Sequence, residues 1–166
     1  DEDNIIGTAF MPYVQNVAGL TSVNYRAEPY KFREEQGCSL GKIFQPCAVD
    51  KPEDPITPLI EAHAGDAIRI HVIGANSEQN GMFGVEGHEW PIEPYMAGAD
   101  MISVVEYAGS EILDVFIRGG AGGPYRQVGD FVWSNARLPY TQSGQWGYLR
   151  VLPTGDARIQ PLSASG

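Results

Sequence analysis

Apolar and polar positions alternate along short stretches of this chain, and Gly and Pro separate the stretches. Between residues 59 and 74, apolar residues at 68, 70 and 72 alternate with Arg69 and His71. A period of two residues is typical of a strand that is buried on one face. The turn at residues 64–66 divides this stretch, so the sequence predicts two neighbouring strands, with His63 and His71 on either side of the turn.

Similar signals recur along the rest of the chain. Further strands are predicted at residues 22–28, 82–85, 101–107, 111–117, 131–133 and 146–151. Residues 111–117 are apolar on both faces, which indicates an inner strand. Residues 30–35 predict a helical turn, and residues 135–144, rich in Asn, Pro, Thr, Ser and Gly, predict a loop. Short strands between Gly/Pro turns, without an amphipathic helix, predict an all-β sandwich.

The pattern also suggests how the chain is organised. Residues 1–56 form an extended N-terminal arm and a long Pro-rich loop, predicted to pack on a β-sandwich core at 57–153. Residues 154–166 follow as a C-terminal tail. A loop as long as 38–58 inside a compact domain usually covers something or contacts a partner.

Charge and composition narrow the function classes. The chain has 166 residues, which suits one domain, and a net charge of −10. This negative charge argues against binding to nucleic acid, where basic patches supply most of the affinity, and against binding to anionic membrane surfaces. No apolar stretch approaches the roughly 20 residues of a membrane span. The acidic start without Met fits a processed N-terminus, and equally a domain cut from a longer polypeptide.

Cys38 and Cys47 are the two cysteines, and both lie in the predicted loop. A disulfide between them would close that loop and would add about 2–3 kcal/mol. It would place the protein in an oxidising compartment, the periplasm or the extracellular space. Two buried free thiols are the alternative.

Four segments taken together resemble a known family. They are GLTSVNYRAEP (19–29), TPLIEAHAGDAIRIHVI (57–73), FGVEGHEWPIEP (83–94) and residues 119–153, with GDFVW and LPYTQSGQWGYLRVLP. Their order and wording resemble a cupredoxin-like domain of the large bacterial multicopper oxidases, the group that includes manganese oxidases. The resemblance implies a Greek-key β-sandwich, one-electron oxidation at a type 1 copper and reduction of oxygen at a trinuclear cluster.

The copper ligands of that family are largely missing here. The loop at 135–144, which would supply the type 1 ligands, contains no Cys, His or Met. Where active domains carry His-Gly-His, this chain has Glu86-Gly87-His88, so only His88 carries over as a possible ligand. The resemblance therefore implies a copper-poor domain. Copper would then be held only at an interface with another domain or chain.

The residues themselves leave several alternatives open. His63 and His71 are candidate metal ligands or ordinary surface residues, and His88 with Glu86 is either a ligand pair or a hydrogen-bonded loop. The carboxylates of Glu86, Glu89, Glu93 and Asp100 suit calcium or manganese, although they also suit a solvated loop. Trp90 is a candidate core or interface aromatic, and Tyr140 the most plausible exposed contact.

Two hypotheses follow. The first is a structural or assembly module of a secreted complex, with other cupredoxin domains or copies of itself as partners and no enzyme activity of its own. The second is a fragment or subunit of an active multicopper oxidase that contributes His88 to a shared copper cluster.

Overall fold

A computed structural model describes residues 23–35, 37, 38, 40–44, 54–75 and 79–159. Within them the chain forms nine strands, two α-helices and two 3-10 turns. The strands are β1 (Ile60–His63), β2 (Arg69–Ile73), β3 (Gly81–Val85), β4 (Trp90–Pro91), β5 (Met101–Ile102), β6 (Val104–Tyr107), β7 (Ile112–Phe116), β8 (Gly129–Asn135) and β9 (Trp146–Leu152). The helices are α1 (Tyr30–Glu35) and α2 (Leu138–Gln142), and the 3-10 turns are Leu40–Lys42 and Gly123–Tyr125. None of these helices is long and apolar enough to cross a bilayer.

The strands form one large sheet and two small ones. The large sheet has the order β1-β9-β8-β3-β6. β1 runs parallel to β9, and the other neighbours in this sheet are antiparallel. Antiparallel pairs β2–β7 and β4–β5 form the small sheets. The prediction of an all-β sandwich is confirmed, because most described residues outside loops lie in strands and the sheets pack against each other.

A first core lies between the large sheet and the small ones. It contains the buried residues Ala62, Val85, Trp90, Val115, Ile117, Ala121, Trp133, Leu149 and Val151. Partly buried side chains from β2, including Ile70 and Val72, pack against it, while Arg69, His71 and Ile73 face outward. The predicted alternation of β2 is therefore confirmed.

A second core lies on the opposite face of β9. Trp146 and Tyr148 of β9 and Val132 of β8 pack there against Tyr30, Cys38 and Ile43. Trp146 is fully buried, and its indole Nε1–H donates to the backbone oxygen of Glu28 at 2.7 Å. The described residues between 28 and 43 thus cover the outer face of β9.

A buried ion pair lies under that second core. Glu28 and Arg33 are 3% and 2% exposed, and their side chains approach to 4.0 Å. The other carboxylate oxygen of Glu28 accepts the Ile56 amide at 3.1 Å. A buried charge needs such partners, because removing it from water costs several kcal/mol.

Four sequence predictions are wrong in detail. β1 and β2 are not neighbours, because β1 pairs with β9 and β2 with β7. Residues 23–28 form a turn with one isolated bridge, since Asn24 and Tyr25 have positive φ angles. The predicted loop at 135–144 contains α2. β7 pairs only with β2 among the described strands, so it is not an inner strand of a larger sheet. The N-terminal arm before residue 23 lies outside the described residues.

Candidate functional site

His88 lies just beyond the end of β3, where the chain turns toward β4. Its amide donates to the Val85 oxygen at 3.2 Å, which closes a turn over Glu86 and Gly87. Gly87 has a φ of 68°, a conformation that glycine adopts without steric cost. The turn directs the imidazole into the protein, where His88 is 3% exposed and meets the Phe131 ring edge-on at 4.7 Å.

Both ring nitrogens of His88 are engaged by backbone groups. Nδ1 lies 2.8 Å from the carbonyl oxygen of Glu86, and the Gly122 amide lies 3.1 Å from Nε2. A carbonyl only accepts and an amide only donates, so Nδ1 carries the proton and Nε2 accepts. A metal ion would have to displace one of these bonds to reach a lone pair.

A glycine-rich loop, residues 119–123, holds the second partner of His88 in place. Gly122 has a φ of 79°, and a Cβ added there would lie 2.4 Å from the Gln127 oxygen. The Ala121 amide donates to the Asp66 oxygen at 2.8 Å, and the Gly65 amide donates to the Ala121 oxygen at 2.9 Å. The loop therefore joins His88 to the turn between β1 and β2, and only glycine fits at position 122.

The carboxylate of Glu86 does not join His88. Glu86 is exposed and contacts His88 through its backbone oxygen. Its side-chain charge acts instead on Tyr30 of the second core. Burial, with the negative charge of Glu86 as a smaller cause, raises the pKa of Tyr30 to about 12. The His88 imidazole and the Glu86 carboxylate, which were predicted as a ligand pair, therefore interact with different parts of the protein.

His63 and His71 each have their own carboxylate partner. Nε2 of His63 lies 2.9 Å from the Asp156 carbonyl oxygen, and its Nδ1 lies 3.6 Å from the Asp66 carboxylate. His71, on the outer face of β2, lies 2.6 Å from the Asp114 carboxylate. The two histidines do not face each other as predicted, because β1 and β2 belong to different sheets.

Asp114 is the centre of an exposed polar and aromatic cluster. Arg69 donates to it at 2.7 Å, and the Tyr95 hydroxyl donates at 3.3 Å. The Arg69 guanidinium also lies 4.9 Å from the centre of the Phe116 ring. The hydrogen bond from Arg69 is the main reason that the pKa of Asp114 is lowered.

The donor set of the described residues does not fit a copper site. Copper favours imidazole and thiolate ligands that converge on one point. Among the residues that the structure describes, no three His, Cys, Asp or Glu side chains converge to hold a metal ion. Among the predicted acidic ligands, Glu89 forms an ion pair with Arg118. The metal roles of His88, Glu86, His63 and His71 stay predictions.

The two predicted interface aromatics are buried. Trp90 is 2% exposed and belongs to the first core. Tyr140 is 4% exposed, so the prediction that it is an exposed contact is wrong. The reason is α2, which turns Tyr140 inward under the Arg137 side chain, with the guanidinium 5.2 Å from the ring centre. Cys38 is buried, and Cys47 lies outside the described residues, so their pairing stays a prediction.

Sequence reasoning missed Asn135, which anchors the β8–β9 connection. Its side-chain oxygen accepts the amides of Met82 and Arg137, both at 3.1 Å. Its side-chain nitrogen donates to the Gln145 side-chain oxygen at 2.8 Å. An Asn at the start of a Pro-containing loop is a capping and turn signal, but the sequence does not show which amides it binds.

Comparison with solved structures returns multicopper oxidases. The blue copper oxidase from Nitrosomonas europaea is 19% identical, covering 58% of this chain and 31% of its own, with a TM-score of 0.49. McoA from the hyperthermophile Aquifex aeolicus is 16% identical, with 66% and 24% coverage and a TM-score of 0.48. The multi-copper oxidase from Pediococcus acidilactici is 11% identical, with 62% and 22% coverage and a TM-score of 0.48. The similar part spans less than a third of each of those chains. No family model and no curated protein matches the chain.

Proposed function

We propose that this chain is a cupredoxin-like module that acts as a structural or assembly part of a secreted complex and holds no copper centre of its own. The order and wording of four sequence segments support the cupredoxin part of the proposal. Its partners are other cupredoxin domains or copies of this chain. A Cys38–Cys47 disulfide would fit the oxidising compartment that such a complex implies.

The observation that carries the proposal is the hydrogen bonding of His88. This is the one residue that the resemblance nominates as a copper ligand. Its imidazole bonds Glu86 O at 2.8 Å and the Gly122 amide at 3.1 Å, both within the chain. A histidine used in this way ties the β3 turn to the glycine-rich loop. Its role in the proposal is therefore to hold the scaffold together.

Copper binding by variants tests this half of the proposal. The intact chain is loaded with copper, dialysed and measured by inductively coupled plasma mass spectrometry, as wild type, H88A and H71A. His71 is the control, because its side chain is 53% exposed and the sequence also predicts it as a candidate metal ligand, on grounds other than the resemblance. We expect the copper content of H88A not to fall below that of H71A. Copper that disappears with H88A and persists with H71A would favour the alternative, a subunit that gives His88 to a shared cluster.

The H88A variant removes the two hydrogen bonds between the imidazole and backbone groups, so its fold is checked by circular dichroism. If it fails to fold, H88Q replaces it, because an amide side chain can still hydrogen-bond but is a poor copper ligand. Native mass spectrometry over a range of concentrations tests the assembly half. A chain that remains monomeric at every concentration, alone and with candidate cupredoxin partners, would contradict it.

A further inference from the structure

Two unpaired polar atoms belong to side chains that lie beside Gly147, next to the first core. Within the described part of the chain, Thr57 Oγ1 and Trp133 Nε1 are buried and have no hydrogen-bond partner. Thr57 is 2% exposed and Trp133 is 4% exposed. Buried hydroxyl and indole N–H groups in native proteins almost always have a partner, which is often an ordered water.

Gly147 marks the place where they meet. Trp133 of β8 lies directly opposite Gly147 of β9, and its indole crosses over that glycine. A Cβ built on Gly147 would lie 2.7 Å from Cε2 of Trp133, the atom bonded to Nε1, and 3.0 Å from Thr57 Oγ1. Thr57 precedes β1, which flanks β9 on its other side. The indole therefore reaches across β9 toward the Thr57 hydroxyl.

We propose that the side chains of Thr57 and Trp133, which lie beside Gly147, form a binding site for one buried water molecule. The Trp133 N–H would donate to this water, and the Thr57 hydroxyl would bond it in either direction. Neither group is charged, so the site suits a neutral ligand. Internal waters of this kind typically make about three hydrogen bonds to otherwise unsatisfied groups.

The site would join separate parts of the chain in the core. Thr57 opens the segment that leads into β1, whereas Trp133 and Gly147 belong to the final hairpin. A shared water would replace the hydrogen bond that the Thr57 and Trp133 side chains lack. This inference rests on the packing of the first core and is independent of the proposed function.

Two threonine-to-valine variants test this proposal through the unfolding equilibrium constant. Removing a hydroxyl that binds a water should raise this constant, whereas removing a hydroxyl that has no partner should lower it. T57V removes the proposed water ligand. T141V is the matched control, since Thr141 is also buried and its hydroxyl donates to the Asn135 oxygen. Loss of one satisfied hydrogen bond should raise the unfolding equilibrium constant roughly fivefold in both variants. A hydroxyl that is buried dry would give the opposite result for T57V, because removing it relieves a penalty.

Nuclear magnetic resonance adds a direct measurement. The Trp133 indole N–H of the full chain should show cross-relaxation with a long-lived water, and T57V should weaken or abolish it. Two results would overturn the proposal: an unfolding constant that is unchanged or lowered by T57V, or an indole N–H without a water contact in the wild type.

Discussion

The two faces of β9 are both buried, but in different ways. On the inner face, Leu149 and Val151 join a core of side chains that come mostly from strands. On the outer face, Trp146 and Tyr148 are covered by the described residues between 28 and 43, which contribute a helix, a turn and a buried ion pair. The inner core is nearly all apolar, whereas the outer core lies against the buried charges of Glu28 and Arg33, which need their partners.

The difference teaches how the N-terminal segment belongs to the fold. A strand that is apolar on both faces needs a cover on each side. The two small sheets cover one face of β9, and the segment around α1 covers the other face. We therefore expect loss of the outer cover to destabilise the whole domain, and four variants can break or sharpen this comparison.

The largest effect is expected for W146A. Trp146 is 0% exposed and contacts the rings of Tyr30, Phe44 and Tyr148. Its loss should lower the free energy of unfolding by about 4 kcal/mol, measured by urea denaturation. F32A, at a side chain that is 47% exposed, is the control. Equal effects of W146A and F32A would mean that the outer core contributes little.

A smaller loss is expected for E28Q. The change removes the negative charge of Glu28 beside the buried Arg33, which should cost about 3 kcal/mol in the free energy of unfolding. E35Q, at an exposed position of α1, should have almost no effect. The double variant E28Q/R33M should recover part of the loss, because a matched apolar side chain needs no counter-charge. If E28Q/R33M recovers none of the stability that E28Q loses, the ion pair is not the cause of the loss.

On the inner face, G147A should cost about 2 kcal/mol of unfolding free energy. Its Cβ would lie 2.4 Å from Cζ2 of Trp133, so the indole must move. The near-ultraviolet circular dichroism of the tryptophans should change with it. G41A is the control, because a Cβ there would meet nothing within 4 Å. An unchanged tryptophan signal in G147A would contradict the packing described for Trp133.

The smallest effect is expected at the rim of the outer face. Arg150 donates to Asp54 at 2.6 Å and to Asp130 at 2.8 Å, and its hydrogen bond lowers the pKa of Asp54. R150M should lower the unfolding free energy by about 1 kcal/mol at neutral pH, since both carboxylates are partly solvated.

The pH dependence of that variant follows from the direction of the shift. The pKa of Asp54 is lower in the folded state, so its stabilising contribution is complete above the unfolded value of about 3.9. It is lost as the pH falls further, through the folded-state pKa. The difference between wild type and R150M in urea denaturation should therefore shrink on acidification. A difference that stays constant down to pH 2 or below would contradict this assignment.

Much of the sandwich could be predicted from local pattern, because burial on one face imposes a period of two residues. The alternation at Arg69 and His71, the strand at the end of the chain and the helical turn at α1 are all found. The pairing of β1 with β9 could not be predicted, because a turn such as 64–66 fits a hairpin as well as a change of sheet. In the structure, the amide of Gly65 in this turn donates to the oxygen of Ala121 in the glycine-rich loop, and the turn leads from one sheet to another.

The candidate site divides in the same way. The sequence predicted His88 as a possible copper ligand through its resemblance to copper-binding domains, and it determined that residues 135–144 contain no Cys, His or Met. Only the tertiary structure decided what His88 contacts. Its two partners are backbone groups, Glu86 O and the Gly122 amide, and backbone groups carry no signature in the sequence. The burial of Tyr140 was decided in the same way, because a short helix at a strand end is fixed by packing and by Asn135 rather than by local propensity.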